Sequence, residues 1–188
     1  MKKIAIAAIA GGVIVFVWSA IAHMLLPIGE MGISTLPNEG PFIEALQGTK
    51  SGLYFFPGMD MSRKPTPEEK KAWEAKVAAG PTGILVYNEK GEAMSPRQLV
   101  SELATNVLAA AIAAWIASLL AAAYGRRVLA ITLLGLFGWV SLSLSYWIWY
   151  GFPSAFVLGE GITEVVGWFL AGLAIAKIVP RAGVVAAR

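Results

Sequence analysis

Apolar residues fall into four long runs, and the polar positions between them are few and clustered. The first run extends from Ile4 to Leu26, behind Lys2-Lys3, and contains no charge. The second covers residues 99–124 and is rich in alanine, the third covers 128–150, and the fourth covers 154–179 and ends before Pro180. At 1.5 Å rise per residue, about 20 apolar residues cross the hydrocarbon of a bilayer, so each run is long enough to be a transmembrane helix. Ala20-Ile21-Ala22 imitates a signal-peptidase site. However, the apolar stretch before it exceeds the 7–15 residues of an ordinary signal core and continues through Met24-Leu25-Leu26, so an uncleaved anchor is expected.

Runs two and three are separated only by Gly125-Arg126-Arg127, and runs three and four only by Gly151-Phe152-Pro153. Such short links predict antiparallel neighbours, with runs two to four forming a tight hairpin series and run one standing apart. Small residues supply close helix packing where lipid removes the hydrophobic drive. Ala109, Ala113, Ala117 and Ala121 form one such stripe, with Ala110, Ala114, Ser118 and Ala122 beside it. Ala8 and Gly12 repeat the spacing in run one, Ser141 and Ser145 in run three, and Gly167 and Gly172 match it less well in run four. These stripes suit an intramolecular bundle or a contact with another membrane helix.

The polar stretch over residues 27–98 has local structure of its own. Thr66-Pro67-Glu68-Glu69 and Ser95-Pro96-Arg97-Gln98 each read as a helix start: an N-cap hydroxyl, a proline at the first helical position and a Glu or Gln at the third. Gly80-Pro81 stops the first of these helices, and a shorter helix is expected from Pro41 to near Gly48. Leu53-Tyr54-Phe55-Phe56 and Ile84-Leu85-Val86-Tyr87 read as short strands. The expected fold is therefore an all-α membrane protein. It is a four-transmembrane-helix bundle (4–26, 99–124, 128–150, 154–179) with a small α+β extracytoplasmic cap over 27–98.

Composition supports this class. Of 188 residues, 57% are hydrophobic and only 14% charged, against about a quarter charged in soluble domains. The net charge of +3 comes with no basic stripe, so nucleic acid is not an expected partner. Charge does orient the chain. Lys2, Lys3, Arg126, Arg127, Lys177, Arg181 and Arg188 all fall on one side of the four runs, whereas the link over 151–153 has no basic residue. The positive-inside rule then places both termini in the cytoplasm. Tyr146, Trp147, Trp149, Tyr150 and Phe152 match an outer aromatic belt.

Candidate chemistry is confined to a few ionisable residues. Glu160 and Glu164 lie one turn apart, Glu164 near the middle of run four, and Glu102 and Asn106 form a similar pair in run two. His23 lies near the outer end of run one. These five fall in the outer half and could converge on one polar site suited to a divalent metal or to proton and cation passage. The bland alternatives are a headgroup position for His23, a helix-dipole role for Glu102 and a hydrogen bond from Glu164 to Ser141, Ser143 or Ser145.

There is no cysteine, His23 is the only histidine and Asp60 the only aspartate. No triad, phosphate loop or metal-ligand motif results, so no catalytic residue and no cofactor is expected.

Five segments are familiar in combination: Ser19 to Ile33, Gly52 to Gly58, Gly80 to Tyr87, Ser95 to Leu99 and Ser145 to Pro153. Through them the chain resembles an uncharacterised bacterial family of four-helix inner-membrane proteins with no assigned function. The resemblance implies a bacterial inner (plasma) membrane and assigns no functional residue. The function expected from sequence is an accessory or scaffold component acting through its bundle and outer cap. Its partners would be the lipid bilayer and another membrane protein or a second copy. The alternatives are a small oligomeric ion or solute transporter or channel using intramembrane carboxylates and, more distantly, a metal-dependent membrane enzyme.

Overall fold

The computed structural model describes residues 1–181; of the basic residues that orient the chain, Arg188 lies outside them. The elements, in chain order, are α1 (Lys2–Met24), α2 (Glu39–Ala45), β1 (Gly52–Phe56), α3 (Pro67–Ala79), β2 (Gly83–Tyr87), α4 (Pro96–Leu119), α5 (Tyr124–Tyr150) and α6 (Ser154–Ile178). α1, α4, α5 and α6 are long and apolar enough to cross a membrane.

The chain divides into two compact units. One joins Met1–Ile33 to the chain from Met94 onward, and the other is Ser34–Ala93. In the first, α1 packs against both α4 and α6, and α6 packs against α5. α1 is thus a central helix, which corrects the expectation that it stands apart. α4 and α5 follow one another in the chain but touch little. The reason is packing depth. On α1, Ala7, Ala8, Gly11 and Gly12 are all buried, giving a face that the backbones of two neighbours can approach. A Cβ added at Gly12 would fall 2.6 Å from the Cα and backbone N of Val107 on α4, so the two backbones meet at this glycine. The buried alanines of α4 are Ala110, Ala113, Ala114 and Ala117, so its seam straddles the two expected stripes.

The break between α4 and α5 also differs from expectation. α4 ends at Leu119, residues 120–123 form the link, and Gly125-Arg126-Arg127 belongs to the first turn of α5. Long-range bonds from this turn account for the shift. Arg127 is buried and donates from Nη1 to the carbonyl of Val179 at 2.7 Å, and from Nη2 to the carbonyl of Ala176. Tyr124 Oη donates to the carbonyl of Leu173 at 3.0 Å. A guanidinium and a phenol thus satisfy carbonyls at the C-terminal end of α6, where the helix dipole also favours a cation.

Tryptophans and glycines lock α5 to α6. The Trp139 ring lies over Gly161, and the Trp168 ring lies over Gly135. Trp139 Nε1 donates to the Val157 carbonyl at 2.7 Å, and a π-helical turn over Trp139–Ser143 begins at this residue. α5 ends at Gly151, which adopts φ +69°, and its N–H bonds back to the Tyr146 carbonyl.

In the second unit β1 and β2 pair antiparallel, with Gly52 opposite Tyr87 and Phe56 opposite Gly83. Ser51 and Glu89 extend the pairing through reciprocal side-chain to backbone bonds of 3.2 and 3.0 Å. Both expected capping boxes form, at Thr66–Glu69 before α3 and at Ser95–Gln98 before α4. α2 runs Glu39–Ala45, two residues earlier than the start expected at Pro41. No residue of 34–93 is buried.

Candidate functional site

α1, α4 and α6 line an open cavity of about 370 Å³ within the first unit, in which His23 and Glu102 are exposed and Glu160 and Glu164 half-buried. Its polar lining is Ser19 and His23 from α1, Glu102 from α4, and Glu160, Thr163 and Glu164 from α6. Four of the five residues singled out in the sequence therefore share one cavity. The fifth, Asn106, does not line it but donates Nδ2–H to Glu102 Oε1 at 3.1 Å. The antiparallel course of the helices brings these groups together: His23 is close to the end of α1, whereas Glu102 and Glu160 are each the seventh residue of their helices.

His23, Glu102, Thr163 and Glu164 are each bonded to a neighbour one turn away. His23 Nδ1 lies 2.9 Å from the carbonyl of Ser19. A carbonyl only accepts, so Nδ1 carries the proton and Nε2 is the nitrogen left for the cavity. The turn after α1 confines the ring, because a Cβ on Gly29 would fall 2.4 Å from His23 Cδ2. The same turn rests on α6, with the Ile28 carbonyl against Gly159. Glu164 Oε2 accepts from Trp168 Nε1 at 2.9 Å. This replaces the expected bond to Ser141, Ser143 or Ser145; Ser141 instead bonds the carbonyl of Gly138 in its own helix. Thr163 turns its hydroxyl to the Gly159 carbonyl, and its own carbonyl accepts from Trp18 Nε1 at 2.9 Å.

The charge balance of the cavity is one-sided. Three carboxylates and one imidazole line it, with no lysine or arginine among the described residues. Glu160 and Glu102 both lie within electrostatic range of Glu164. Two of the carboxylates are held by neutral donors, the Asn106 amide and the Trp168 indole, which orient an oxygen without cancelling its charge. Phe16, Ala20, Met24, Met94 and Leu99 make up the apolar lining. Among the described residues, no three His, Asp or Glu side chains are grouped so as to hold a metal ion. Carboxylates beside apolar side chains suit a ligand with a cationic centre and an apolar body.

Trp168 and the apolar lining went unrecognised in the sequence. For Trp168 the signal was present, since it follows Glu164 by four residues and so shares its face. Thr163 lacked such a signal, because its position on the lining depends on the rotation of α6 against α1. No protein-family model matches the chain, and no match was found among curated proteins or solved structures.

Proposed function

We propose that this is a multi-pass membrane protein that takes a small organic cation into the cavity between α1, α4 and α6, from the extracytoplasmic side and in exchange for protons. The observation that carries the proposal is a cavity lined by three carboxylates and one histidine, with no lysine or arginine among the described residues. Carboxylates that share one cavity repel one another when ionised. Fully ionised, the cavity needs compensation, and protons and a cation are competing ways to supply it. A volume of about 370 Å³ exceeds the needs of one ion and falls within the small-molecule range.

Four membrane-length helices support the multi-pass reading. Lys2, Lys3, Arg126, Lys177 and Arg181 all lie at the helix ends opposite the cavity, which supports cytoplasmic termini and a cavity in the outer half of the bundle. In a bacterial cell this is the inner membrane. Titration of the protein in lipid nanodiscs with benzyltrimethylammonium tests the proposal. Saturable binding, weakened at least about tenfold by Glu164→Gln, is expected, a loss of about 1.4 kcal/mol. Absence of saturable binding, or equal affinity in the variant, refutes it.

One observation favours a second reading, that of an accessory or scaffold component. Residues 34–93 bury nothing of their own, and Leu53, Tyr54, Phe55 and Phe56 are all exposed on β1. Recovery of a stoichiometric membrane partner in mild detergent supports this reading, and a clean lone species counts against it.

A further inference from the structure

We infer that Trp168 is the positioning residue for Glu164, and that α5 acts on the cavity through it although α5 contributes nothing to the lining. The inference rests on the cavity reading above and adds how the site is set. Glu164 has two oxygens. Oε2 accepts from the Trp168 indole at 2.9 Å, which leaves Oε1 without that donor, and Glu164 lines the cavity. A carboxylate on a flexible stem has many rotamers, and a single fixed donor selects among them.

The donor is itself fixed from outside α6. The Trp168 ring fills a notch at Gly135 of α5: a Cβ there would fall 2.5 Å from Cδ1 and 2.8 Å from Cβ and Cγ of the tryptophan. One turn further along α5, Trp139 returns the contact. Its ring lies over Gly161 and its Nε1 bonds the Val157 carbonyl, flanking Glu160. Two tryptophans, each seated on a glycine of the opposite helix, thus set the rotation of the α6 face that carries both carboxylates. A displacement of α5 along its axis would move the Trp168 ring and with it the oxygen presented to the cavity. The π-helical turn at Trp139–Ser143 places an irregular segment at the contact where such a shift would begin.

The other titratable groups of this cavity are His23 on α1, Glu102 on α4 and Glu160 on α6, and α5 supplies none to it. The first test therefore reads the bond itself. In protein carrying ¹⁵N-labelled indoles, the Trp168 resonance, identified by its loss in Trp168→Phe, is expected to follow the protonation of Glu164 with pH. It is expected to lose that inflection in Glu164→Gln. This readout needs no ligand, so it decides the inference even if the protein binds no cation. A Trp168 resonance indifferent to both pH and Glu164→Gln overturns it.

The second test reads the consequence. Trp168→Phe keeps the atoms that meet Gly135 but removes the N–H and part of the ring. It is expected to weaken benzyltrimethylammonium binding by about tenfold, as loss of a hydrogen bond to a charged group implies, and to shift the pH profile of binding. Gly135→Ala, whose Cβ would strike Cβ, Cγ and Cδ1 of the tryptophan and displace the ring, is expected to do the same, with little further loss when added to Trp168→Phe, which has no N–H left to misplace. Wild-type affinity and pH profile in Trp168→Phe, where the wild type binds, overturns the positioning role and leaves Trp168 as packing alone.

Discussion

Alanine substitutions at two adjacent glycines of α1 are expected to have unequal costs. At Gly12, the new Cβ would fall 2.6 Å from Val107 Cα, backbone N and Cγ2. Ordinary contacts begin at 3.4 Å, so α1 and α4 must part by about 0.8 Å, because two of the three atoms struck are backbone and cannot rotate away. The displacement would loosen the alanine seam of α4 over Ala110, Ala113, Ala114 and Ala117, where each atom pair contributes only about 0.1–0.2 kcal/mol but many are lost together. Overpacking of this kind costs about 1–3 kcal/mol, and a backbone clash belongs near the upper end. At Gly11, the new Cβ meets Ile175 Cδ1 at 2.6 Å and Ala110 Cβ at 3.1 Å. Ile175 Cγ1 is also struck, at 2.9 Å, and the side chain is fully buried, but all the atoms met are side chain and can shift, so a cost near the lower end, about 1 kcal/mol, is expected. Both substitutions gain the same helix propensity, so their difference isolates the backbone contact. Reversible unfolding in lipid bicelles, by steric trapping, would measure it. Gly12→Ala is expected to exceed Gly11→Ala by at least about 1 kcal/mol. Equal values, or a neutral Gly12→Ala, would refute the claim that α1 and α4 meet at backbone distance.

Three further outcomes follow from the same packing. Arg127→Ala would leave the Ala176 and Val179 carbonyls without their donor and is expected to cost about 2–3 kcal/mol in the same unfolding assay. Arg127→Lys should recover only part of this, since an ammonium lacks the fork that meets two carbonyls. Gly161→Ala would put a Cβ 2.7 Å from Trp139 Cε2 and push the indole off the Val157 carbonyl, destabilising the bundle by about 1–3 kcal/mol, with a change in tryptophan emission that Gly138→Ala does not produce. Beyond the bundle, the Arg63 guanidinium and then the Thr66 backbone N–H hold the Glu69 carboxyl down at about 2. A depressed carboxyl stabilises the fold above its unfolded value of about 4.5 and loses that contribution as the pH falls toward 2. The start of α3 is therefore expected to persist through pH 4 and fray near pH 2 by amide NMR, and Glu69→Gln should abolish that step.

What was legible in the sequence was local. Thr66 and Ser95 announce their helices because an N-cap and its partner are three residues apart, and the four apolar runs announce membrane-length helices by length alone. Neighbour choice was not legible. Small-residue stripes occur on α1, α4 and α6 alike, so nothing in the spacing says that α1 sits between α4 and α6, and chain proximity misleads for α4 and α5. Arg127 reads as a topology marker because the carbonyls it caps are 49 and 52 residues away. Glu102, Glu160, Glu164 and His23 stood out because ionisable groups are costly inside a bilayer. Their convergence depends on helix rotation, which the Gly12 contact and the tryptophan locks determine.

The central claim is that a cation and protons compete for one carboxylate-lined cavity, and the direct measurement is the number of protons released as the cation binds. Calorimetric titrations of the nanodisc-embedded protein with benzyltrimethylammonium, in buffers of different ionisation enthalpy at one pH, give that number. Net proton release on binding, abolished together with binding when Glu102, Glu160 and Glu164 are all changed to Gln, is the predicted result. Binding without proton release, or binding that survives the triple substitution, would contradict the account.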